Sequence, residues 1–166
     1  MKIQEVMTRE VHTCRPDTDL GMAAMQMWEG DFGVLPVVAD GGEVVGLITD
    51  RDICMATASK NKAPGAIRAD EIITGLVYSC SPEAEIHEAL KTMQQRRVRR
   101  LPVLANGRIV GLLSLNDLAL RARSGATADL SAQDVEETLK EVCAHPTFAL
   151  RRPFKPFASQ VAAAVA

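Results

Sequence analysis

Val45-Gly46-Leu47-Ile48-Thr49-Asp50-Arg51-Asp52 and Val110-Gly111-Leu112-Leu113-Ser114-Leu115-Asn116-Asp117 are one pattern written twice. Each is an apolar run that ends on a hydroxyl residue, with an aspartate three positions later. Upstream, Leu35-Pro36-Val37-Val38-Ala39 matches Leu101-Pro102-Val103-Leu104-Ala105 at a spacing of 66 residues. Further back, Val11-His12-Thr13-Cys14-Arg15-Pro16 matches Val77-Tyr78-Ser79-Cys80-Ser81-Pro82 at the same spacing. Collinear self-similarity of this length means one fold used twice, over roughly 5–57 and 71–122.

Between the matched runs the spacing drops from 66 to 65, because Asp40-Gly41-Gly42 faces the shorter Asn106-Gly107. Asn-Gly marks a two-residue hairpin, since both central residues of a type I′ turn need positive φ. The longer turn fits a hairpin that carries a left-handed glycine. The flanking runs are continuously apolar rather than alternating, which predicts strands covered on both faces. Each repeat thus reads as short strand (11–14, 77–80), helix, strand, hairpin, strand, helix. Asp17 and Glu83 sit near the next helix start, where negative charge suits the dipole. Ile86, Ala89, Leu90 and Met93 trace one helical face. The counterpart from Leu20 to Trp28 is apolar almost all round and needs a partner surface.

We divide the chain into repeat 1 (1–62), repeat 2 (63–123) and a C-terminal extension (124–166). Lys60 to Gly65 is a polar connector. Ser131-Ala132-Gln133-Asp134 opens a helix through about Val142, with serine and acid satisfying free backbone donors. His145-Pro146 should end it, and the stretch beyond has no clear period.

With 166 residues, 47% hydrophobic and 24% charged, the composition is globular. A net charge of −2 disfavours a generally basic nucleic-acid binder. No apolar run approaches the roughly 18–20 residues of a membrane span, and Met1 to Glu10 lacks a signal-peptide core, so we expect a cytoplasmic protein. Cys14, Cys54, Cys80 and Cys143 are scattered singly, which fits free thiols better than a four-ligand metal site. Cys14 and Cys80 occupy equivalent positions, compatible with redox sensing or simply with small apolar residues. The sequence suggests no catalytic triad or phosphate-binding glycine loop, and we expect no enzymatic activity.

Thr49-x-x-Asp52 and Ser114-x-x-Asp117 allow two readings. Hydroxyl-x-x-acid is close to a capping box. The same geometry offers free N–H groups to phosphate and a carboxylate to vicinal ribose hydroxyls.

Taken together, these elements resemble a tandem pair of CBS (cystathionine-β-synthase) domains, a Bateman module, of the stand-alone bacterial type. The resemblance rests on the duplicated G-L-[IL]-[TS]-x-x-D and L-P-V elements, on Val44 to Ile53, and on Arg97 to Val103, and it covers about residues 1–123. It implies an α/β fold of two pseudo-symmetric repeats, each a small three-stranded sheet with two packed helices. It also implies two clefts for an adenosine-containing regulatory ligand: AMP, ADP, ATP, S-adenosylmethionine or NAD. Thr49, Arg51 and Asp52 would serve one cleft, and Ser114, Asn116 and Asp117 the other, with each aspartate on ribose. Val11, His12 and Thr13, and Val77, Tyr78 and Ser79, match the position that borders the base. Gly33, Val34, Leu35 and Pro36, and Arg99, Arg100, Leu101 and Pro102, match the opposite wall. No catalytic cofactor or metal is implied, and a homodimer is expected, with Met25, Met27 or Trp28 near its centre.

Residues 1–66 carry six basic and ten acidic side chains, whereas 67–123 carry nine and six. The run Arg96-Arg97-Val98-Arg99-Arg100 can clamp phosphate, form a solvated face, or pair with the acidic half. It is also the only support for nucleic-acid binding, and it lacks interleaved aromatics. A scaffold with empty clefts is the remaining alternative.

Overall fold

The computed structural model describes residues 1–73, 76–123 and 129–144. Helix α1 (Leu20–Glu29) leads into strand β1 (Val34–Val38), a hairpin to β2 (Val44–Thr49), and helix α2 (Asp50–Lys60). The order recurs as α3 (Ile86–Arg96), β3 (Arg100–Ala105), β4 (Arg108–Ser114) and α4 (Leu115–Arg121), followed by α5 (Ala132–Cys143). This is the duplicated α/β plan the sequence predicts. The extension beyond Ala144, with the expected stop at His145-Pro146, lies outside the described residues.

Both hairpins are antiparallel and share one irregularity, a register shift at Val37/Val38 and again at Val103/Leu104. The turns differ as the deletion requires. Asn106 and Gly107 both have positive φ, at 53° and 76°, whereas in the longer turn Gly42 carries the left-handed conformation at 90°.

The third strand of each sheet shrinks to one residue. Cys14 bridges Val37 in parallel, and Cys80 bridges Val103. Each donates its N–H to a proline carbonyl, Pro36 or Pro102 at 3.0 Å, and accepts from Val38 at 2.8 Å or Leu104 at 2.9 Å. The segments 11–14 and 77–80 are therefore extended chain rather than full strands, and Pro16 and Pro82 follow within two residues. At the helix start Asp19 caps α1 by accepting from Met22 N at 2.9 Å, while Asp17, expected near this start for its negative charge, pairs with Arg15. In the second repeat Glu85 holds the cap position without a side-chain cap bond.

The two cores do not follow the 62/63 sequence boundary. Ile3, Val6 and Met7 are buried with Leu101, Leu113 and Leu118 of the second repeat. Ile67, Ala69 and Ile72 are buried with Leu35, Ile48 and Ile53 of the first. The exchange is symmetric: Leu20 N donates to Ile67 O, and Ile86 N to Met1 O. It also explains the glycine in the duplicated motif. A Cβ on Gly46 would lie 2.6 Å from Ile73 Cβ, and one on Gly111 3.0 Å from Thr8 O. Only glycine lets these crossing legs approach the strands. Leu35 and Leu101 are fully buried at the centres, and truncating either to alanine should cost about 2–5 kcal/mol.

Helix α5 starts on a capping box between Ser131 and Asp134, as expected, and lies on α3 and α4. Thr138, fully buried, accepts from Gln94 Nε2 at 2.8 Å and donates to Asp134 O at 2.8 Å. No equivalent helix covers α1 and α2 among the described residues. There Met22, Met25 and Trp28 are exposed, Trp28 by 82%. Met27, expected at an interface, is instead in the first core, because α1 turns its 20, 23 and 27 positions inward.

Candidate functional site

The duplicated motif lies where β2 hands over to α2 and β4 to α4. Thr49 Oγ1 donates to Asp52 Oδ2 at 2.7 Å, Thr49 N to the same oxygen at 2.9 Å, and Asp52 N to Thr49 Oγ1 at 3.2 Å. Ser114 and Asp117 repeat this at 2.6, 2.7 and 3.2 Å. Both motifs are thus capping boxes, and in both a single carboxylate oxygen, Oδ2, does the capping. The other oxygen, Oδ1, points to a different fate. Thr8 donates its hydroxyl to Asp117 Oδ1 at 3.3 Å. Capping therefore does not exhaust either carboxylate, which can accept at four lone-pair positions.

Sheet register brings the expected walls beside these motifs. Val34 is paired with Thr49 and Leu35 with Ile48; Arg100 is paired with Ser114 and Leu101 with Leu113. Cys14 and Cys80 hold the first segments against β1 and β3, which places Val11 to Thr13 and Val77 to Ser79 along the same edges. The His12 ring stacks on Phe32, centroids 4.9 Å apart. At the matching place the Arg96 guanidinium lies over the Tyr78 ring, 4.8 Å from its centre. His12 and Ser79 are exposed, while Val11, Thr13, Val77 and Tyr78 are half-buried.

Several expected residues play other parts. Leu35, Leu101, Pro36 and Pro102 are buried and carry no polar side-chain atoms. The Arg99 guanidinium donates to Cys143 Sγ on α5 at 3.5 Å, and its carbonyl accepts from Leu115 N. That turns Arg99 toward the extension, whereas Arg100 stays at the motif. Arg51 and Asn116 are exposed on the first helical turns. Gly33 leaves room for Asp50, whose Oδ2 would sit 3.0 Å from a Cβ placed there. An open recess of about 360 Å³ beside it, between α1 and α2, includes Trp28, Asp31, Phe32 and Asp50 in its wall.

Thr8 is the residue sequence reasoning missed. Its signal was present: Glu5-Val6-Met7-Thr8 matches Glu71-Ile72-Ile73-Thr74 at the 66-residue spacing.

Burial pushes the thiols of Cys14 and Cys80 up, to about 11 and about 12. Both are therefore protonated and poorly nucleophilic near neutral pH, which fits small apolar residues under the strands. Among the described residues no group of three or more His, Cys, Asp or Glu side chains could hold a metal ion, and no helix is long and apolar enough to cross a membrane.

The CBS domain family model matches residues 3–59 and 69–123, the same two units that carry the motifs. The chain belongs to the CBS-domain family. As a CBS pair it is similar to YlbB of Bacillus subtilis (strain 168), 30% identical over 137 residues, which covers 82% of this chain and 92% of YlbB. It is also 32% identical over 116 residues to Hypoxic response protein 1 of Mycobacterium tuberculosis, covering 70% of this chain and 81% of that protein. A crystal structure of Hypoxic Response Protein I with two coordinated zinc ions matches with a TM-score of 0.68 at 30% identity, over 74% of this chain and 100% of that one. The CBS domain pair of protein MJ0100, in complex with 5′-methylthioadenosine and S-adenosyl-L-methionine, matches with a TM-score of 0.66 over 72% of this chain and 94% of that one. At 22% identity that last likeness is one of fold.

Proposed function

We propose that this CBS pair is a non-enzymatic regulatory module that binds an adenosine-containing metabolite at the Thr49/Asp52 and Ser114/Asp117 motifs and passes the resulting change to a partner. The observation that carries the reading is the division of labour in each aspartate, with Oδ2 closing the cap and Oδ1 taking no part in it. A ribose has two neighbouring hydroxyls that need such an acceptor. The adenosyl ligands held by the MJ0100 pair support the choice of compound class. Segment exchange supplies a route for transmission, because residues 1–8 are anchored on the second repeat and reach Asp117 through Thr8.

The test is a thermal-shift screen of ligand-stripped protein against AMP, ADP, ATP, S-adenosylmethionine and NAD. Ligand at a hundred times its dissociation constant should stabilise by about 2.7 kcal/mol. The Asp52→Asn/Asp117→Asn double variant should melt close to wild type without ligand, since asparagine also caps, and should lose most of the shift. A retained shift rejects the ribose assignment. No shift with any adenosyl compound favours the scaffold reading, and nucleic-acid affinity that falls steeply with salt favours the arginine cluster instead.

The same reading includes a homodimer through α1. Its support is the contrast between the two helical faces: α5 covers α3 and α4, while Met22, Met25 and Trp28 stay exposed on α1. Tryptophan is favoured at the centre of such contacts.

A further inference from the structure

Resting on the adenosyl-site reading, we propose that the two sites differ in ligand class: the second repeat takes a phosphate-bearing adenine nucleotide, and the first takes an adenosyl compound without phosphate. Strand register carries the argument. Arg100 is the direct cross-strand partner of Ser114, and Val34 is the direct partner of Thr49. Directly paired residues project from the same face with Cβ atoms about 4.5–5.5 Å apart. The motif hydroxyl of the second repeat therefore has a guanidinium stem beside it, where that of the first has an isopropyl group. Arg100 is half-buried, and among the described residues it forms no ion pair, so its charge is not already spent on a carboxylate.

A second difference points the same way. Asp50 opens α2 beside Thr49, and the equivalent residue opening α4 is the buried Leu115. The first motif thus has two carboxylates within one helical turn and the second has one. Arg51 works against this, since its counterpart is the neutral Asn116, but it supplies one cation against Asp50 and Asp52 together. At positions 30, 31, 33, 34 and 49–52 the first repeat carries a net charge of −2, and the equivalent positions 96, 97, 99, 100 and 114–117 carry +3. A phosphomonoester holds about −1.5 to −2 at pH 7. It is repelled by the first set and paired by the second, with an arginine fork suited to its oxygens. Arg96 is held in place over Tyr78, and its counterpart is Gly30, which has no side chain.

The experiment is isothermal titration of ligand-stripped full-length protein with AMP and with 5′-methylthioadenosine, which keeps adenine and ribose but has no phosphate. Wild type is compared with Asp52→Asn, Asp117→Asn and Arg100→Val, the last giving the second hairpin the residue already tolerated in the first. Should Arg100→Val melt abnormally, Arg100→Gln replaces it. AMP should bind one site per chain, lose that binding in Asp117→Asn, weaken about 10- to 100-fold in the Arg100 variant, and stay unchanged in Asp52→Asn. Binding of 5′-methylthioadenosine should be lost in Asp52→Asn and survive the Arg100 change. AMP binding that follows Asp52, or that the Arg100 variant leaves within about twofold, overturns the assignment while adenosyl binding itself stands. Failure of both compounds to bind wild type overturns the underlying reading and this one with it.

Discussion

Thr8 donates its hydroxyl to Asp117, 109 residues further along the chain, at 3.3 Å. A leg that belongs to the first repeat by sequence thus ends on the motif carboxylate of the second. Ser114 already fixes Asp117 through Oδ2, so the Thr8 bond adds little orientation and occupies Oδ1, the oxygen that ribose would need.

Thr8→Val keeps the shape of this residue and removes the donor. The variant should bind its adenosyl ligand about 2- to 10-fold more tightly at the second site, the equivalent of one ordinary hydrogen bond no longer competing. Its melting temperature without ligand should stay close to wild type, because the bond is exposed. Titration against wild type checks this, and weaker binding would mean that Thr8 helps hold the ligand instead.

The exposed face of α1 gives a second test. Met25→Glu/Trp28→Glu should sediment as a monomer at tens of micromolar, about the working range of such assays, where wild type sediments as a dimer. Met27→Ala should behave differently. Met27 is in the first core, so its truncation should cost about 2–5 kcal/mol of stability and leave association intact.

Acid should loosen α5 first at its N-terminus. The Ser131 hydroxyl, then its backbone N–H, holds the Asp134 carboxyl below its usual value, with His87 adding a smaller pull. A depressed carboxylate contributes stability that is present above its unfolded value, near 3.8, and is lost as pH falls through the lower folded value. Asp134→Ala, which removes the accepting group altogether, should therefore melt below wild type at neutral pH, and the gap should narrow below about pH 4. Parallel melting curves across that range would show that the cap is too solvated to matter.

The cysteines should divide into two classes under an alkylating reagent. Cys54 and Cys143 are exposed, whereas Cys14 is buried and Cys80 half-buried, with thiols pushed up to about 11 and about 12. At pH 8 the inner pair should stay unmodified until the fold opens, while the outer pair reacts. Mass spectrometry of a time course distinguishes them. Early labelling of Cys14 or Cys80 would reopen a redox role.

Sequence alone determined several elements whose cause is local. The Asn106-Gly107 turn needs two positive φ values and asparagine and glycine supply them. The Ile86, Ala89, Leu90 and Met93 face buries itself because helical spacing leaves no other choice. Ser131 and Asp134 mark the start of α5 as clearly in the chain as in the fold. Tertiary structure decided what each apolar surface meets. A hairpin whose runs are continuously apolar shows neither which face of its second strand is buried nor the segment that will cover it. Residues 1–8 therefore crossed to the second core unannounced, and 67–73 to the first. The near-uniform apolar character of Leu20 to Trp28 could not say that Met27 turns inward and Trp28 outward. The same limit holds at the motifs. Hydroxyl-x-x-aspartate reads equally as a cap or a ribose acceptor, and only the folded chain separates the oxygen that caps from the one Thr8 reaches. The pairing of Arg100 with Ser114 likewise exists only once strand register is set by the turn and its bulge, two features whose combined effect is a distance in space.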